Sequence, residues 1–312
     1  MADNPLAFVL IGAYPDFVTV SAKEMKRSMS IKVKRSAVAI MYDFDKTLCT
    51  RDMQEYSFIP ELGITPEAFW ADADKLSAGG MDRILAYMYL MLKKARESDR
   101  PIRRENFVAL GRNIDFFPGV LEWFDRISAY GREQNVVVEH YIISSGLKEI
   151  IEGSAVRDRF KKIYACEFHY DANGVADWPL VSVNYTTKTQ FLFRINKGVL
   201  DFSDDEALNR YVPEDERPVP FRNMLYIGDG LTDVPCMKLV KANGGHSIAV
   251  FRKGLKKKVE DLLINRRVDF VAPANYSPDT ELDTLVKRII DKSSVVNELT
   301  ETHLEQVKSF SR

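Results

Sequence analysis

The sequence is poor in cysteine, and its three cysteines form no pattern typical of a cross-linked or metal-binding protein. They are Cys49, Cys166 and Cys236 in a chain of 312 residues. Such a sparse, odd-numbered and widely spaced set excludes a disulfide framework. Because there is no CxxC pair, a structural zinc site is not expected either. Reduced thiols in a cytoplasmic protein are the simplest interpretation.

The chain also lacks a large net charge and a long hydrophobic run. Lys and Arg number 44 against 45 Asp and Glu, so the formal net charge of −1 provides no overall attraction for nucleic acid or an anionic membrane. The apolar run at about residues 6–14 is shorter than the roughly 20 residues that a membrane-spanning helix needs. Asp3 stands where a signal peptide carries basic residues. These absences favour a cytoplasmic protein that binds neither nucleic acid nor membrane.

Helix and strand patterns alternate through most of the chain, and this alternation predicts an α/β fold with a parallel sheet. Nearly continuous apolar segments, which suit strands buried on both faces, occur at 37–42, 136–143, 163–169 and 224–227. Between the first two of these segments, residues 51–116 show only helical patterns. The prediction is therefore a Rossmann-like core with a helical insertion after its first strand.

The predicted organisation divides the chain into a core, an insertion and two ends. The expected boundaries are residues 1–35 for an N-terminal extension, 36–50 and 117–276 for the core, 51–116 for the helical insertion, and 277–312 for a helical C-terminal tail. At about 150 residues per domain, a chain of this length suits one enlarged domain or two smaller ones. The acidic, proline-containing stretch at 199–220 is predicted to be a surface insertion in the core.

Three of the apolar strands end in polar clusters. The clusters are Asp43-Phe44-Asp45-Lys46-Thr47, Ser144-Ser145 and Gly228-Asp229-Gly230-Leu231-Thr232-Asp233. In open α/β sheets, ligands bind beyond the carboxyl ends of the strands, so we expect these clusters to converge. Neighbouring carboxylates such as Asp43 and Asp45 repel each other unless a proton or cation intervenes. Hard oxygen ligands suit Mg²⁺, and Asp229 and Asp233 would complete such a site.

The polar clusters resemble the motifs of the haloacid dehalogenase-like hydrolases, which use an aspartate nucleophile. The matching segments are Asp43 to Thr47 for the first motif, Ile142-Ile143-Ser144 for the second, Lys188 at the start of a helix for the third, and Gly228 to Asp233 for the fourth. The order of the four motifs, their spacing and their positions relative to the predicted strands agree with the family over about residues 36–275. The helical insertion after the first strand most resembles the cap of the phosphoserine phosphatase-like branch.

This resemblance implies a Mg²⁺-dependent hydrolase of phosphate monoesters that forms an aspartyl-phosphate. Asp43 would be the nucleophile, Asp45 the general acid and base, and Lys188 a cation that offsets the charge of the phosphate. The implied metal-site residues are Asp43, Asp45 through its main-chain carbonyl, Asp229 and Asp233. The implied substrate contacts are Ser144, Ser145, Thr47 and Asp52.

The resemblance is incomplete at positions that select the substrate. Thr232 stands where the phosphoserine phosphatases usually have Asn, Ser145 where they have Gly, and Asp52 where they have a Glu that contacts the substrate. The stretch at 86–89, which corresponds to the cap, offers no Arg for a substrate carboxylate. We therefore expect a small phosphorylated metabolite other than phosphoserine. The sequence predicts no oligomeric state.

Two alternative functions remain open from the sequence. One is a phosphotransferase with an acceptor other than water, and the other is a non-catalytic phosphate-binding protein of the same fold. A 2-haloacid dehalogenase is disfavoured, because that reaction needs neither a metal nor a second aspartate, whereas Asp45 and Asp229 are both present.

A basic cluster near the C-terminal part of the core is not explained by the motifs. It comprises Arg252, Lys253, Lys256, Lys257 and Lys258. Such a cluster is typical of a solvated helix face, and an anion-binding or partner surface is the alternative interpretation.

Overall fold

The computed structural model describes residues 37–100 and 102–310, and the structural statements below concern those residues. The predicted extension at 1–35 lies outside them. The strands are β1 (Val38–Tyr42), β2 (Val138–Leu147), β3 (Lys162–Tyr170), β4 (Ala176–Val181), β5 (Met224–Gly228), β6 (His246–Phe251) and β7 (Phe270–Pro273). They form one sheet in the order β4-β3-β2-β1-β5-β6-β7.

Helices connect most of the strands and cover the sheet. The α-helices are α1 (Phe58–Glu61), α2 (Pro66–Ala78), α3 (Arg83–Glu97), α4 (Arg104–Leu110), α5 (Val120–Glu133), α6 (Lys148–Glu152), α7 (Lys188–Lys197), α8 (Asp205–Asn209), α9 (Val234–Ala242), α10 (Lys257–Ile264) and α11 (Glu281–Phe310). Short 3₁₀ helices occur at Met53–Glu55, Gly111–Asn113, Arg157–Arg159, Glu214–Glu216, Phe221–Asn223 and Leu231–Asp233.

β1 is the central strand, and the chain extends the sheet outward on both sides of it. Tyr42 of β1 lies opposite Ile142 of β2 on one side and opposite Ile227 of β5 on the other, in parallel pairing. The chain builds β2 to β4 on one side of β1 and β5 to β7 on the other. Open α/β sheets form a crevice at their carboxyl edge where the strand order reverses in this way. All five residues of β1 are buried, which explains the continuous apolar run in the sequence.

The predicted α/β fold with a parallel sheet is confirmed, with one addition at the edge of the sheet. β4 pairs antiparallel with β3, and the sequence patterns did not predict it. The side chains of Trp178 and Leu180 on this strand are exposed. An edge strand with one face in solvent lacks the continuous apolar run that marks a strand buried on both faces.

Helices α1 to α4 all lie between β1 and β2, where the sequence showed only helical patterns. Local capping explains where two of them begin. The side chain of Thr65 accepts a hydrogen bond from the Ala68 amide at the start of α2, and Asp82 accepts from the amides of Ile84 and Leu85 at the start of α3. Such caps satisfy backbone donors that have no partner within the helix.

Two peripheral segments are anchored to the core in different ways. Helix α11 covers most of the predicted tail, and Leu282, Val286 and Ile290 near its start are fully buried. The acidic stretch at 199–220 is held by the buried guanidinium of Arg194, which donates hydrogen bonds to the carbonyls of Asp201 and Phe202. In the described part of the chain, no helix combines the length and hydrophobicity that crossing a bilayer requires.

Candidate active site

Three carboxylates converge at the carboxyl edge of the sheet. Asp43 directly follows β1, Asp229 directly follows β5, and Asp233 ends the 3₁₀ helix that comes next. One oxygen from each carboxylate lies within 4.8 Å of the other two. The register explains this convergence, because Tyr42 lies opposite Ile227 and the residues that follow them leave the sheet side by side. Three carboxylates at this separation have the donor chemistry of a site for a hard divalent cation.

Lys188 joins two of these carboxylates by buried ion pairs. Its ammonium, on the first residue of α7, donates to Asp43 Oδ1 at 2.8 Å and to Asp233 Oδ1 at 2.7 Å. The side chains of Lys188 and Asp233 are fully buried. Burial by itself would lower the pKa of the Lys188 ammonium, but the charges of Asp233 and Asp43 outweigh burial and raise that pKa. Lys188 is therefore a permanent cation that orients Asp43.

The acidic cluster has more negative than positive charge when it is fully ionised. Burial raises the pKa of Asp43 to about 6, although the neighbouring charge of Lys188 acts in the opposite direction. Burial and the charges of Asp43 and Asp233 raise the pKa of Asp229 to about 8. Because three carboxylates share one ammonium, a bound divalent cation would compensate the remaining charge.

Asp233 is held in place by neighbours on β5 and by a close approach to the backbone. The Tyr226 hydroxyl donates to Asp233 Oδ1 at 2.9 Å, and the Gly230 amide donates to Asp233 Oδ2 at 3.4 Å. A Cβ atom on Gly228 would lie 2.5 Å from Asp233 Oδ2. Gly228 is therefore needed for space rather than for backbone freedom, because any side chain would displace Asp233.

The Asp45 side chain lies outside the three-carboxylate cluster. The chain turns directly after β1, where the Leu48 amide donates to the Phe44 carbonyl at 2.9 Å. As a result, Asp45 Oδ1 accepts a hydrogen bond from the Met53 amide at 2.8 Å. Burial and the charges of Asp52 and Asp43 raise the pKa of Asp45 well above its ordinary range. The protonated form of this carboxyl is therefore favoured relative to a carboxyl in solvent.

The hydroxyl groups predicted to contact substrate are buried and incompletely bonded. Thr47 Oγ1 and Ser145 Oγ have no hydrogen-bond partner among the described residues. Ser144 Oγ accepts from the Gly146 amide at 3.0 Å, which leaves its own proton free to donate. Buried polar atoms without partners cost about 1–3 kcal/mol each. A bound anion would offset that cost. Asp52, by contrast, forms an ion pair with Lys46.

The inserted segment makes contacts with the site that the sequence patterns did not predict. The Tyr87 hydroxyl of α3 donates to the Ser145 carbonyl at 2.7 Å. Met53, in the 3₁₀ helix after β1, also accepts through its sulfur from the Leu147 amide at 3.1 Å. No local pattern predicts either contact, because each contact depends on how the inserted helices pack on the ends of the strands.

The fold and the site define an α/β enzyme with an acidic centre at the carboxyl edge of its sheet. The chain belongs to the haloacid dehalogenase-like hydrolases, because the model of that family matches residues 40–238. The resemblance inferred from the sequence motifs is thereby confirmed, and the protein is a hydrolase. An uncharacterized protein of Borreliella burgdorferi is 29% identical over 277 residues, which span 80% of this chain and 95% of the relative.

Solved structures share the fold at low sequence identity. A HAD-family hydrolase from Salmonella enterica subsp. enterica serovar Typhi superposes with a TM-score of 0.54 at 16% identity, covering 87% of this chain and 81% of that chain. A substrate-bound phosphoserine phosphatase superposes with a TM-score of 0.53 at 13% identity, covering 82% of this chain and 99% of that chain. At this level of identity the similarity concerns the fold.

Proposed function

We propose that the protein is a Mg²⁺-dependent phosphomonoesterase that acts on a small phosphorylated metabolite through an aspartyl-phosphate on Asp43. The observation that carries the proposal is the buried Lys188 ammonium between Asp43 and Asp233, within a cluster that also contains Asp229. Membership in the hydrolase family supports it. The fold shared with a phosphoserine phosphatase is consistent with a phosphate ester as the substrate.

The donor set fits a magnesium ion. All three clustered side chains offer carboxylate oxygens, which are the ligands that Mg²⁺ prefers. Asp43, Asp229 and Asp233 would hold the ion, directly or through a water molecule, and the Asp45 carbonyl is the predicted main-chain ligand. When bound, the ion supplies positive charge to the oxygens of the phosphoryl group. This charge would reduce the repulsion between the anionic nucleophile and the anionic substrate.

Asp43 would attack the phosphorus atom of the substrate. Lys188 donates to Asp43 Oδ1, which leaves Oδ2 as the attacking oxygen. As the new O–P bond forms, the bond from phosphorus to the leaving oxygen breaks, and Asp45 gives its proton to that oxygen. The Asp45 carboxylate then removes a proton from water, which attacks the phosphorus and releases Asp43 and inorganic phosphate. The raised pKa of Asp45 suits both proton transfers.

The buried hydroxyls would form the phosphate pocket together with Lys188. Ser144, Ser145 and Thr47 each have a hydroxyl proton that no described acceptor uses. Donors that are fixed in place before the reaction stabilise developing charge without the cost of reorganising. Asp52 would contact the leaving group from the rim of the site, where it is held by Lys46.

Residues 51–116 would act as a cap over this site, with the boundaries that the sequence predicts. The contacts that join the segment to the site include the hydrogen bond from Tyr87 to the Ser145 carbonyl and the hydrogen bond from the Met53 amide to Asp45. A cap in this position would exclude bulk water during the first step and would position the general acid.

Phosphate release from a panel of phosphorylated metabolites would test the proposal. The wild-type protein is assayed with Mg²⁺ and with EDTA, beside Asp43→Asn and the exposed control Asp158→Asn. We expect Mg²⁺-dependent release that falls at least about a thousandfold in Asp43→Asn, because a nucleophile is lost. The control should match the wild type. Equal release by Asp43→Asn and the wild type would overturn the proposal.

A burst experiment would test the covalent intermediate and the role of Asp45. In Asp45→Asn, 4-nitrophenyl phosphate needs little acid assistance because nitrophenolate leaves readily, whereas hydrolysis of the aspartyl-phosphate lacks its base. We therefore expect a rapid burst of nitrophenolate, close to one equivalent per active site, followed by slow turnover. Linear release of nitrophenolate from the first turnover onward, at the slow steady-state rate, would contradict the scheme. Transfer of phosphate to added glycerol instead of water would indicate the phosphotransferase.

A further inference from the structure

A cavity of about 220 Å³ opens beside the acidic cluster. It borders the acidic cluster at Asp229, and Lys46 also contributes to its lining. The remaining polar lining consists of Thr50, Arg51, Arg252 and Lys258. The cavity therefore combines one face of the acidic cluster with several cationic side chains.

The sheet register places the basic segment at this cavity. Gly228 of β5 lies opposite Ala249 of β6 in parallel pairing. The residues that follow the two strands therefore leave the same edge of the sheet next to each other. Asp229 follows Gly228, and Arg252 directly follows the last residue of β6. The basic cluster in the sequence is thus a neighbour of the acidic centre in the fold.

The cavity has an apolar floor, which an ordinary solvated helix face does not provide. Val250 and Val259 line it and are fully buried, and Phe117 contributes a largely buried ring. Leu255 adds a partly exposed apolar side chain. Small-molecule sites typically combine a concave apolar surface with a few placed polar groups, and this cavity has both features.

Three of the lining cations have no carboxylate partner. Among the described residues, no carboxylate lies within 4.0 Å of the charged groups of Arg51, Arg252 or Lys258, whereas Lys46 pairs with Asp52. The acidic cluster does not require these three cations, because Lys188 and one divalent ion would already balance three carboxylates. The positive charges of Arg252 and Lys258 are therefore available to a ligand in the cavity, whereas the Arg51 guanidinium lies over the Tyr56 ring, 4.4 Å from its centroid.

We propose that the cavity binds the leaving group of the substrate, and that this leaving group carries a second anionic group on an apolar or ring-shaped body. The proposal rests on the phosphomonoesterase function proposed above. Arg252 and Lys258 would bind the second anion, which is a phosphate or a carboxylate. Val250 and Leu255 would contact the body of the leaving group.

Three matched esters would test the preference for a second anion. They are benzyl phosphate, 4-carboxybenzyl phosphate and 4-(phosphonomethyl)benzyl phosphate, which share one ring and differ in the group at its far end. We expect kcat/KM to be about tenfold higher for the esters with a second anion, as two partly exposed charge contacts would give. The ester with the larger increase in kcat/KM over benzyl phosphate shows whether a carboxylate or a phosphate-like group is the preferred anion.

Cavity variants would show whether the lining cations cause the preference. The readout is the ratio of kcat/KM for each ester with a second anionic group to kcat/KM for benzyl phosphate. In Arg252→Gln and Lys258→Gln this ratio should fall toward one. Lys257→Gln removes an exposed lysine of the same helix that does not line the cavity, and it should keep the wild-type ratio. An equal loss for all three esters would assign the cations to the transferred phosphoryl group and would overturn the proposal.

A binding measurement would separate failure of the subsite from failure of the proposed function. Calorimetry with the non-hydrolysable pair p-xylylenebisphosphonate and benzylphosphonate needs no turnover. If the wild type hydrolyses benzyl phosphate and the ratio of kcat/KM values is near one, the subsite is overturned and the proposed function stands. Absence of hydrolysis, with tighter binding of the bisphosphonate that Arg252→Gln abolishes, would overturn the function and support an anion site. Equal binding of both phosphonates without hydrolysis would overturn both.

Discussion

Lys188 and Asp233 form an ion pair of 2.7 Å in which neither side chain is exposed to solvent. The same ammonium lies 2.8 Å from Asp43, so a single cation fixes both carboxylates. Removing one partner from a buried ion pair leaves the other charge without compensation, which is more costly than losing an exposed pair. This arrangement links the stability of the fold to the chemistry of the site.

Substitution of Lys188 should therefore reduce both stability and activity. In Lys188→Met without metal, we expect the free energy of unfolding to fall by about 3–5 kcal/mol. Phosphatase activity should fall at least about a hundredfold, since Lys188 is the cation proposed to offset the phosphate charge. Urea denaturation and phosphate release measure the two effects. Lys238→Met, at an exposed position of α9, serves as the control and should lose little of either. A Lys188→Met protein with wild-type stability would contradict the buried pairing.

Gly228 and Gly230 should respond differently to the same substitution. A Cβ at Gly228 would lie 2.5 Å from Asp233 Oδ2, whereas a Cβ at Gly230 would meet no atom within 4 Å. Gly228→Ala should move Asp233 away from Lys188 and lower kcat at least about tenfold, because the ion pair loses its geometry. Gly230→Ala should stay within about threefold of the wild type. Steady-state kinetics of the two variants tests this contrast, and equal effects would contradict it.

The hydrogen bond from Tyr87 to the Ser145 carbonyl should stabilise the packing of α3 on the site. Tyr87→Phe removes the donor and leaves the ring, so we expect a loss of about 1 kcal/mol. The amides of α3 should exchange faster with solvent, and kcat/KM should fall about fivefold. Hydrogen exchange with mass spectrometry and steady-state kinetics measure these effects. Tyr89→Phe on the same helix is the matched control, because Tyr89 is exposed. Identical exchange in both variants would show that the hydrogen bond has no such role.

A buried chain of polar groups near β1 should make stability depend on pH. The Trp123 ring N–H donates to the Tyr42 hydroxyl at 2.9 Å, and that hydroxyl lies 3.0 Å from His140 Nδ1. His140 Nε2 lies 3.0 Å from Ser128 Oγ on the other side of the ring. A neutral imidazole satisfies both contacts with one donor nitrogen and one acceptor nitrogen. Burial lowers the pKa of His140 to about 4.

The pKa of His140 fixes the direction of the pH effect. Below pH about 6.5 the unfolded chain binds a proton at this histidine that the folded protein binds only near pH 4, so stability falls as the pH decreases through this range. Between pH 7 and pH 5 the loss from this group is about 2 kcal/mol. Urea denaturation at the two pH values should show a smaller loss for His140→Gln than for the wild type. His169→Gln, at an exposed position, should keep the wild-type loss. Equal losses in all three proteins would contradict the prediction.

Sequence patterns identified the parts of the site that follow buried strands. Strands β1 and β5 are buried and are followed directly by Asp43 and Asp229, whereas Ser144 lies within the last four residues of β2, which continues to Leu147. The order of residues alone therefore predicts Asp43, Ser144 and Asp229 at one edge of the sheet. The position of Lys188 came from the family resemblance, and the fold places it on the first turn of α7.

The sequence by itself determined the fold class, the family and the residue types at the ends of the strands, because strand burial and motif spacing are local properties of the chain. Only the tertiary structure decided that Asp45 bonds to the Met53 amide rather than joining the acidic cluster, and that Tyr87 reaches Ser145. It also decided that the basic segment at Arg252 borders a cavity beside Asp229. Each of these contacts joins segments whose relative position depends on side-chain packing between helices and strand ends, and such packing leaves no periodic pattern in the sequence.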